Sequence, residues 1–258
     1  MTTDGPILVE ACVDSVASAI AAEHGGAGRI ELCAALSDGG TTPSAGMIAA
    51  CKEAVAIPVF AIARPRGGGF FYSDAERDVM RRDTVAAREV GADGIVTGGL
   101  CRDGTIDVAL VKTMIEAADG LPVTFHRAFD FTRALDEALE TLVDNGVQRV
   151  LTSGGAATAA EGARMLATLV HRANERIVVM AGGGVREESV RTLVTATRVR
   201  EVHVRLTRLA TDGTAHARGL RLRKALPEDE MAWDETDEER MRRFVTASTQ
   251  RAEQSRAP

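Results

Sequence analysis

The sequence predicts a single-domain α/β fold, a (β/α)8 barrel of the TIM type with an extra C-terminal helix. Three observations predict it. Eight apolar, strand-like runs begin at positions 7, 29, 58, 94, 122, 149, 177 and 201. Their spacing of 22 to 36 residues is what one strand plus one crossover helix requires, and helical patterns fill the gaps. The length, 258 residues, suits a fold that typically takes about 250. A doubly wound open sheet is the alternative, and the even eightfold repeat argues against it.

The runs cover 7–13, 29–34, 58–63, 94–97, 122–126, 149–152, 177–181 and 201–206, each short and bounded by turn or helix signals. Residues 44–55 carry the helical pattern after the second run. Ser73-Asp-Ala-Glu76 reads as a capping box opening the helix after the third, because Ser73 and Glu76 can satisfy each other's orphan amides. Gly91-Ala-Asp93 and Asn145-Gly-Val147 end the helices before strands four and six, glycine taking the left-handed cap conformation. Residues 1–206 thus form the barrel. Residues 207–258 read as a C-terminal loop, through Thr211-Asp-Gly-Thr214 and an Arg-rich stretch, followed by a closing helix over 234–252 with a frayed end.

Composition excludes several function classes. Hydrophobic residues at 45% and charged ones at 26% are ordinary for a globular chain and rule against disorder. A net charge of -6 and a pI near 5.5 repel nucleic acid and anionic membrane, so neither is an expected partner. The amino-terminal stretch lacks a basic leader, no run reaches membrane-spanning length, and the four cysteines form no CxxC pair; a cytoplasmic location is expected. Lysine occurs only at 52, 112 and 224, none on an expected inner strand, which disfavours Schiff-base chemistry. No nucleotide cofactor is expected, and barrels of this kind often assemble as homo-oligomers.

In a barrel the site lies at the carboxyl ends of the strands, and period-two alternation selects the inward side chains. The segment Pro122-Val-Thr-Phe-His-Arg-Ala-Phe-Asp130 ends a strand in His126, Arg127 and Asp130. Glu10 and Cys12 share one face of strand one, Glu31 and Cys33 one face of strand two, and strand eight brings His203 and Arg205. Strand three delivers Arg64 and Arg66 into the glycine-rich loop 64–72. Arg64, Arg66 and Arg127 together suit a small anionic ligand, carboxylate or phosphate. Ser153 and Gly154 after strand six, with Gly183 and Gly184 after strand seven, offer backbone amides to the same anion; such glycines equally serve tight βα turns. For proton chemistry His126 has a suitable ordinary pKa, and Glu10 or Glu31 can be raised in a dry interior. Inner Glu, Arg and His side chains can also simply neutralise one another and fill the barrel.

Cysteine suggests a different chemistry. Cys12 and Cys33 fall on neighbouring strands roughly 5 Å apart, where two thiolates can hold a soft ion such as Cu(I), with Cys101 or a histidine as third ligand. Buried free cysteine also serves as a small apolar packer, the reading for Cys51 in its helical pattern. A disulfide between Cys12 and Cys33 is geometrically conceivable and disfavoured in a reducing compartment.

The motifs EACVDS (10 to 15), RIELCAALSDGGTTPS (29 to 44), RPRGGGFFYSD (64 to 74), FHRAFD (125 to 130), LTSGG (151 to 155) and MAGGGV (180 to 185) together resemble the CutC family, over about the first 206 residues. The resemblance implies a TIM barrel, a cytoplasmic location and a role in copper homeostasis with Cu(I) binding, Cys12 and Cys33 standing where the family's copper hypothesis places its thiols. Two departures from the family's pattern stand out: Gly69 replaces an acidic or amide residue, and Val204-Arg205-Leu206 replaces small ones, which makes the mouth more cationic. Three readings follow. One is a copper protein using Cys12 and Cys33. Another is a barrel enzyme acting on a small anionic metabolite through Arg64, Arg66, His126 and Arg127, with Glu10 or Glu31 as acid or base. The third is a noncatalytic interaction scaffold.

Overall fold

Short buried strands alternate with capped helices along the chain, described for residues 7–211 and 231–249 in a computed structural model. Strand β1 (Leu8–Val13) leads into helix α1 (Val16–His24), β2 (Arg29–Leu32) into α2 (Ala45–Ala54), β3 (Val59–Ile62) into α3 (Asp74–Glu89) and β4 (Gly94–Thr97) into α4 (Val108–Ala118). The second half repeats this with β5 (Val123–Phe125) and α5 (Leu135–Asp144), β6 (Arg149–Thr152) and α6 (Ala163–Ala173), and β7 (Val178–Gly182) and α7 (Glu187–Thr197). The last barrel strand, β8 (Glu201–Val204), pairs parallel with β1 and closes the ring. The eightfold barrel expected from the spacing is the fold observed.

Local chemistry explains the helix ends. Ser15, Ser44 and Asp107 each accept an amide of the first turn, and Ser73 with Glu76 forms the full capping box. Gly91 and Gly146 take left-handed φ values of 93° and 75° just past α3 and α5, as the sequence predicts.

Alternation along the strands sorts the core into two compartments. Val9, Ala11, Val13, Ile30, Leu32, Val59 and Ala61 pack outward with the helices in one large cluster. Cys12, Cys33, Phe60, Ile62 and Val96 form a second cluster inside the barrel. Beneath this second cluster lies a charged plug. Arg29 bonds Glu10 and, at 2.5 Å, Glu201, while Arg149 reaches the same Glu201 at 2.5 and 3.1 Å. Both guanidinium groups face the Phe60 ring, 5.0 and 5.5 Å from its centroid.

Several strand ends shift by one or two residues from the expected runs, and three differences have a physical reason or alter the architecture. Strand β5 is shorter than 122–126: Pro122 has no amide to give, and His126, whose amide still donates to the Thr97 carbonyl at 2.9 Å, caps a 3-10 turn over Arg127–Phe131. Past β8, part of the expected loop is a hairpin instead: β9 (Thr207–Thr211) pairs antiparallel with β10 (Ala232–Thr236). The closing helix α8 (Glu238–Thr249) therefore begins four residues later than expected, with Asp237 accepting the Arg240 amide at its start. The rest of the expected loop, residues 212–230, and the frayed end lie outside the described residues. Met241 and Phe244 bury α8, and Ser18 of α1 accepts the Thr236 amide at 3.0 Å, so the C-terminal segment is tied to the first helix.

Candidate functional site

Five side chains, carried by β1, β8 and β2 with the residue just past it, meet inside the barrel at its carboxyl end. Parallel pairing sets Cys12 of β1 opposite Glu31 of β2, and Glu10 opposite both Arg29 of β2 and His203 of β8. Cys33 follows two residues after Glu31 on the same face. Its Sγ is 3.9 Å from that of Cys12, and one ligand atom each from Cys12, Glu31 and Cys33 fall within 4.8 Å of one another, all three residues buried. His203 donates from Nδ1 to Glu10 Oε1 at 2.8 Å, and its Nε2 lies 3.6 Å from Glu31 Oε2.

This geometry divides the charges. Burial works to raise the Glu10 pKa, yet the hydrogen bond from His203 and the charge of Arg29 hold it down at about 2. Glu31 has no such clamp: burial pushes it up to about 8, the His203 charge pulling only partly the other way. Burial also opposes charge on His203, but Glu31, Cys12 and Glu10 together carry its pKa well above 6.5, so the ring is an imidazolium. The Cys33 S–H donates to Cys12, which lowers the Cys12 thiol and raises that of Cys33. At neutral pH the cluster holds an ionised Glu10, a charged His203, a protonated Glu31 and a thiol pair ready to lose its first proton.

The arginines lie elsewhere in the mouth. Arg64 donates from Nη1 to the carbonyls of Asp38 and Gly40 at 3.1 and 2.6 Å and from Nη2 to that of Gly68 at 3.0 Å, pinning two loops. Arg66 ion-pairs Glu76 at 2.5 Å and bonds the Gly69 and Phe71 carbonyls, organising its own loop at the surface. Arg127 bonds Asp130 at 2.8 Å and Ser153 Oγ at 2.9 Å. Asp130 in turn accepts from the Ser153 and Gly155 amides and, at 2.5 Å, from the Thr152 hydroxyl, while the Gly154 amide donates to Thr152 Oγ1. The chain's own carboxylate thus occupies the amide nest after β6 that the sequence offers to a ligand. Gly183 and Gly184 have φ values of 96° and 67°, and a Cβ on Gly183 would fall 3.0 Å from the Arg127 guanidinium. His126 is buried; its Nδ1 accepts the Ala128 amide at 3.1 Å, and burial followed by the Arg64 charge lowers its pKa to about 3.

Cys101 follows β4 and contacts the Ile106 carbonyl at 3.9 Å, outside the thiol cluster; Cys51 is fully buried in α2 as a packing residue. Sequence reasoning did not find the central position of His203 between the two glutamates, nor any role for Tyr72. The first was open to detection, since His203 shares the inward parity of Glu201 on β8; the second had no signal beyond an aromatic run, of which Phe71 is exposed and Tyr72 buried.

Residues 7–207 match the model of the CutC family. The chain belongs to the CutC family. Among CutC relatives, the Mus musculus protein named a copper homeostasis protein cutC homolog is 50% identical over 196 residues, 76% of this chain and 72% of the mouse protein. A CutC family protein of Chromobacterium violaceum is 42% identical over 235 residues, 91% of this chain and 95% of that protein. The solved CutC structure from Streptococcus agalactiae superposes with a TM-score of 0.74 at 34% identity, over 76% of this chain and 97% of that one. Phosphoribosylanthranilate isomerase from Thermotoga maritima, with a TM-score of 0.56 and 12% identity over 94% of this chain and 98% of that chain, shares the barrel fold. The family match ends where β9 begins, so most of the hairpin and α8 lie beyond it.

Proposed function

We propose that this CutC-family protein binds Cu(I) between Cys12 and Cys33 and serves copper homeostasis, a reading in keeping with the name of its mouse relative. The observation that carries it is the pair of buried sulfurs 3.9 Å apart beside an imidazolium. Metal–thiolate bonds of about 2.3 Å reach a shared ion from sulfurs at that separation without moving a strand. Thiolates select soft, thiophilic ions, and the Glu31 carboxyl offers an oxygen within 4.8 Å of both sulfurs.

The surrounding residues set the charge balance. Cys12 and Cys33 give up their protons on binding, and two thiolates then face one monovalent ion and the His203 imidazolium, which leaves the group neutral. Glu10 and Arg29 hold the ring in place from below. Glu31 keeps its proton near neutrality and adds no further negative charge. Bound Cu(I) would supply thiophilic coordination to this chamber. A reducing cytoplasm would keep both thiols free, and among the described residues no helix is long and apolar enough to cross a membrane.

Anaerobic titration of reduced protein with Cu(I) against a competing chelator tests the reading. We expect one Cu(I) per chain, lost in Cys12→Ser/Cys33→Ser; unchanged stoichiometry and affinity in that variant would sink the proposal.

A further inference from the structure

Arg64 is 5% exposed and carries a positive charge that no carboxylate answers among the described residues; peptide carbonyls alone hold its Nη atoms. Buried cations ordinarily have an anionic partner. Its Nε is also without an acceptor, and so are two other buried atoms, the Tyr72 hydroxyl and His126 Nε2. A fourth buried atom with no hydrogen bond, Asp107 Oδ2, lies 2.6 Å from Arg77 in an ion pair and belongs to a different contact.

All three orphans are donors. Arg64 Nε always bears a hydrogen. His126 Nδ1 accepts the Ala128 amide, so the ring proton sits on Nε2. The Tyr72 hydroxyl donates wherever an acceptor is offered. Phe70 links two of the three, 5.3 Å from the Arg64 guanidinium and 5.2 Å from the His126 ring, and Tyr72 neighbours Arg64, whose charge works against the rise that burial gives the phenol pKa. The wall behind is bare backbone. A Cβ on Gly98 would fall 2.6 Å from the His126 imidazole, and one on Gly99 would fall 3.5 Å from the Tyr72 ring.

We propose that Arg64 Nε, the Tyr72 hydroxyl and His126 Nε2 form a cradle for a small monocarboxylate, separate from the thiol pair. One unanswered positive charge matches one negative charge. Three donors suit the two acceptor-only oxygens of a carboxylate, whereas phosphate at neutral pH brings more charge and more oxygens than the cradle supplies. Phe70 and Phe131, with ring centroids 5.4 Å apart, offer an apolar side to the rest of the molecule. The cradle adjoins the thiols without sharing a residue: the Gly40 carbonyl accepts from Arg64, and a Cβ on Gly40 would fall 3.1 Å from Cys33 Sγ.

The test is an NMR titration of the reduced, metal-free full-length protein with carbon-13 acetate, with inorganic phosphate and neutral acetamide as comparators. We expect saturable acetate binding, and both comparators at least about tenfold weaker. Arg64→Ala removes three loop contacts and can unfold the region, so the decisive variants are Tyr72→Phe, which keeps the ring, and His126→Asn, which keeps an acceptor for the Ala128 amide. Each is expected to weaken acetate at least about tenfold while retaining the Cu(I) stoichiometry of the parent protein. Absence of saturable acetate binding, acetamide binding as well as acetate, or affinity within about twofold of the parent in both variants would overturn the proposal. Loss of Cu(I) binding in the cysteine variant with acetate binding intact supports two separate sites.

Discussion

Replacing His126 with Asn should make the protein less sensitive to acid, by an amount set by where the imidazole sits. The ring is 5% exposed, packs against Phe70 and Phe125, and is held neutral by burial first and the Arg64 charge second, which together bring its pKa from 6.5 to about 3. Above pH 6.5 the imidazole is neutral in folded and unfolded chains alike, and no stability is lost. As the pH falls from there towards 3, the unfolded imidazole takes up a proton that the folded one refuses, so stability drops by about 1.4 kcal/mol per pH unit. By about pH 4.5 the loss is roughly 3 kcal/mol. Asn keeps an acceptor for the Ala128 amide and has no proton to gain. Urea unfolding of both proteins at about pH 7 and about pH 4.5, in buffers free of small carboxylates, isolates the effect because other carboxyl groups titrate alike in the two. The variant should gain roughly 3 kcal/mol relative to the parent between those pH values. A stability difference that does not change with pH would refute the assignment of His126 as a buried neutral group.

Two further outcomes follow from packing and charge. Arg29→Met leaves Glu10 and Glu201 buried without their shared guanidinium; because His203 and Arg149 still contact them, the cost should sit near the lower end for a broken buried pair, about 3 kcal/mol, read by denaturant unfolding at neutral pH. A loss under about 1 kcal/mol would show that the plug is dispensable. Gly98→Ala places a methyl group 2.6 Å from the His126 ring and should cost about 1–3 kcal/mol; combined with His126→Ala, the two effects should fall short of additivity by at least about 1 kcal/mol, and strict additivity would place the strain elsewhere.

What could be read from the residues in advance was what depends on near neighbours. Ser73 and Glu76 announce a capping box because both partners lie within four residues, and the parity of Glu10 with Cys12, or of Glu31 with Cys33, follows from the pleat alone. The arginines were less legible. Arg66 and Glu76 are ten positions apart, Arg127 reaches Ser153 across 26, and the Asp38 and Gly40 carbonyls that engage Arg64 belong to the preceding βα unit. A cationic side chain advertises its charge in sequence but not the partner that consumes it. The β9–β10 hairpin was hidden for the same reason: Thr207 finds Thr236 as its partner only through the tertiary fold.

The ring closes between β8 and β1, and the charged centre of the thiol chamber straddles that joint, His203 from the last strand donating to Glu10 from the first across 193 positions. Both sulfurs lie within the first 33 residues. A chain emerging during synthesis therefore carries its two thiols long before it acquires their counter-cation, and the contact that completes the chamber is among the most distant in sequence that folding must make. A protein whose β8–β1 joint has opened retains Cys12 and Cys33 yet lacks the imidazolium between the glutamates, so the charge environment of the thiols reports whether the barrel has closed.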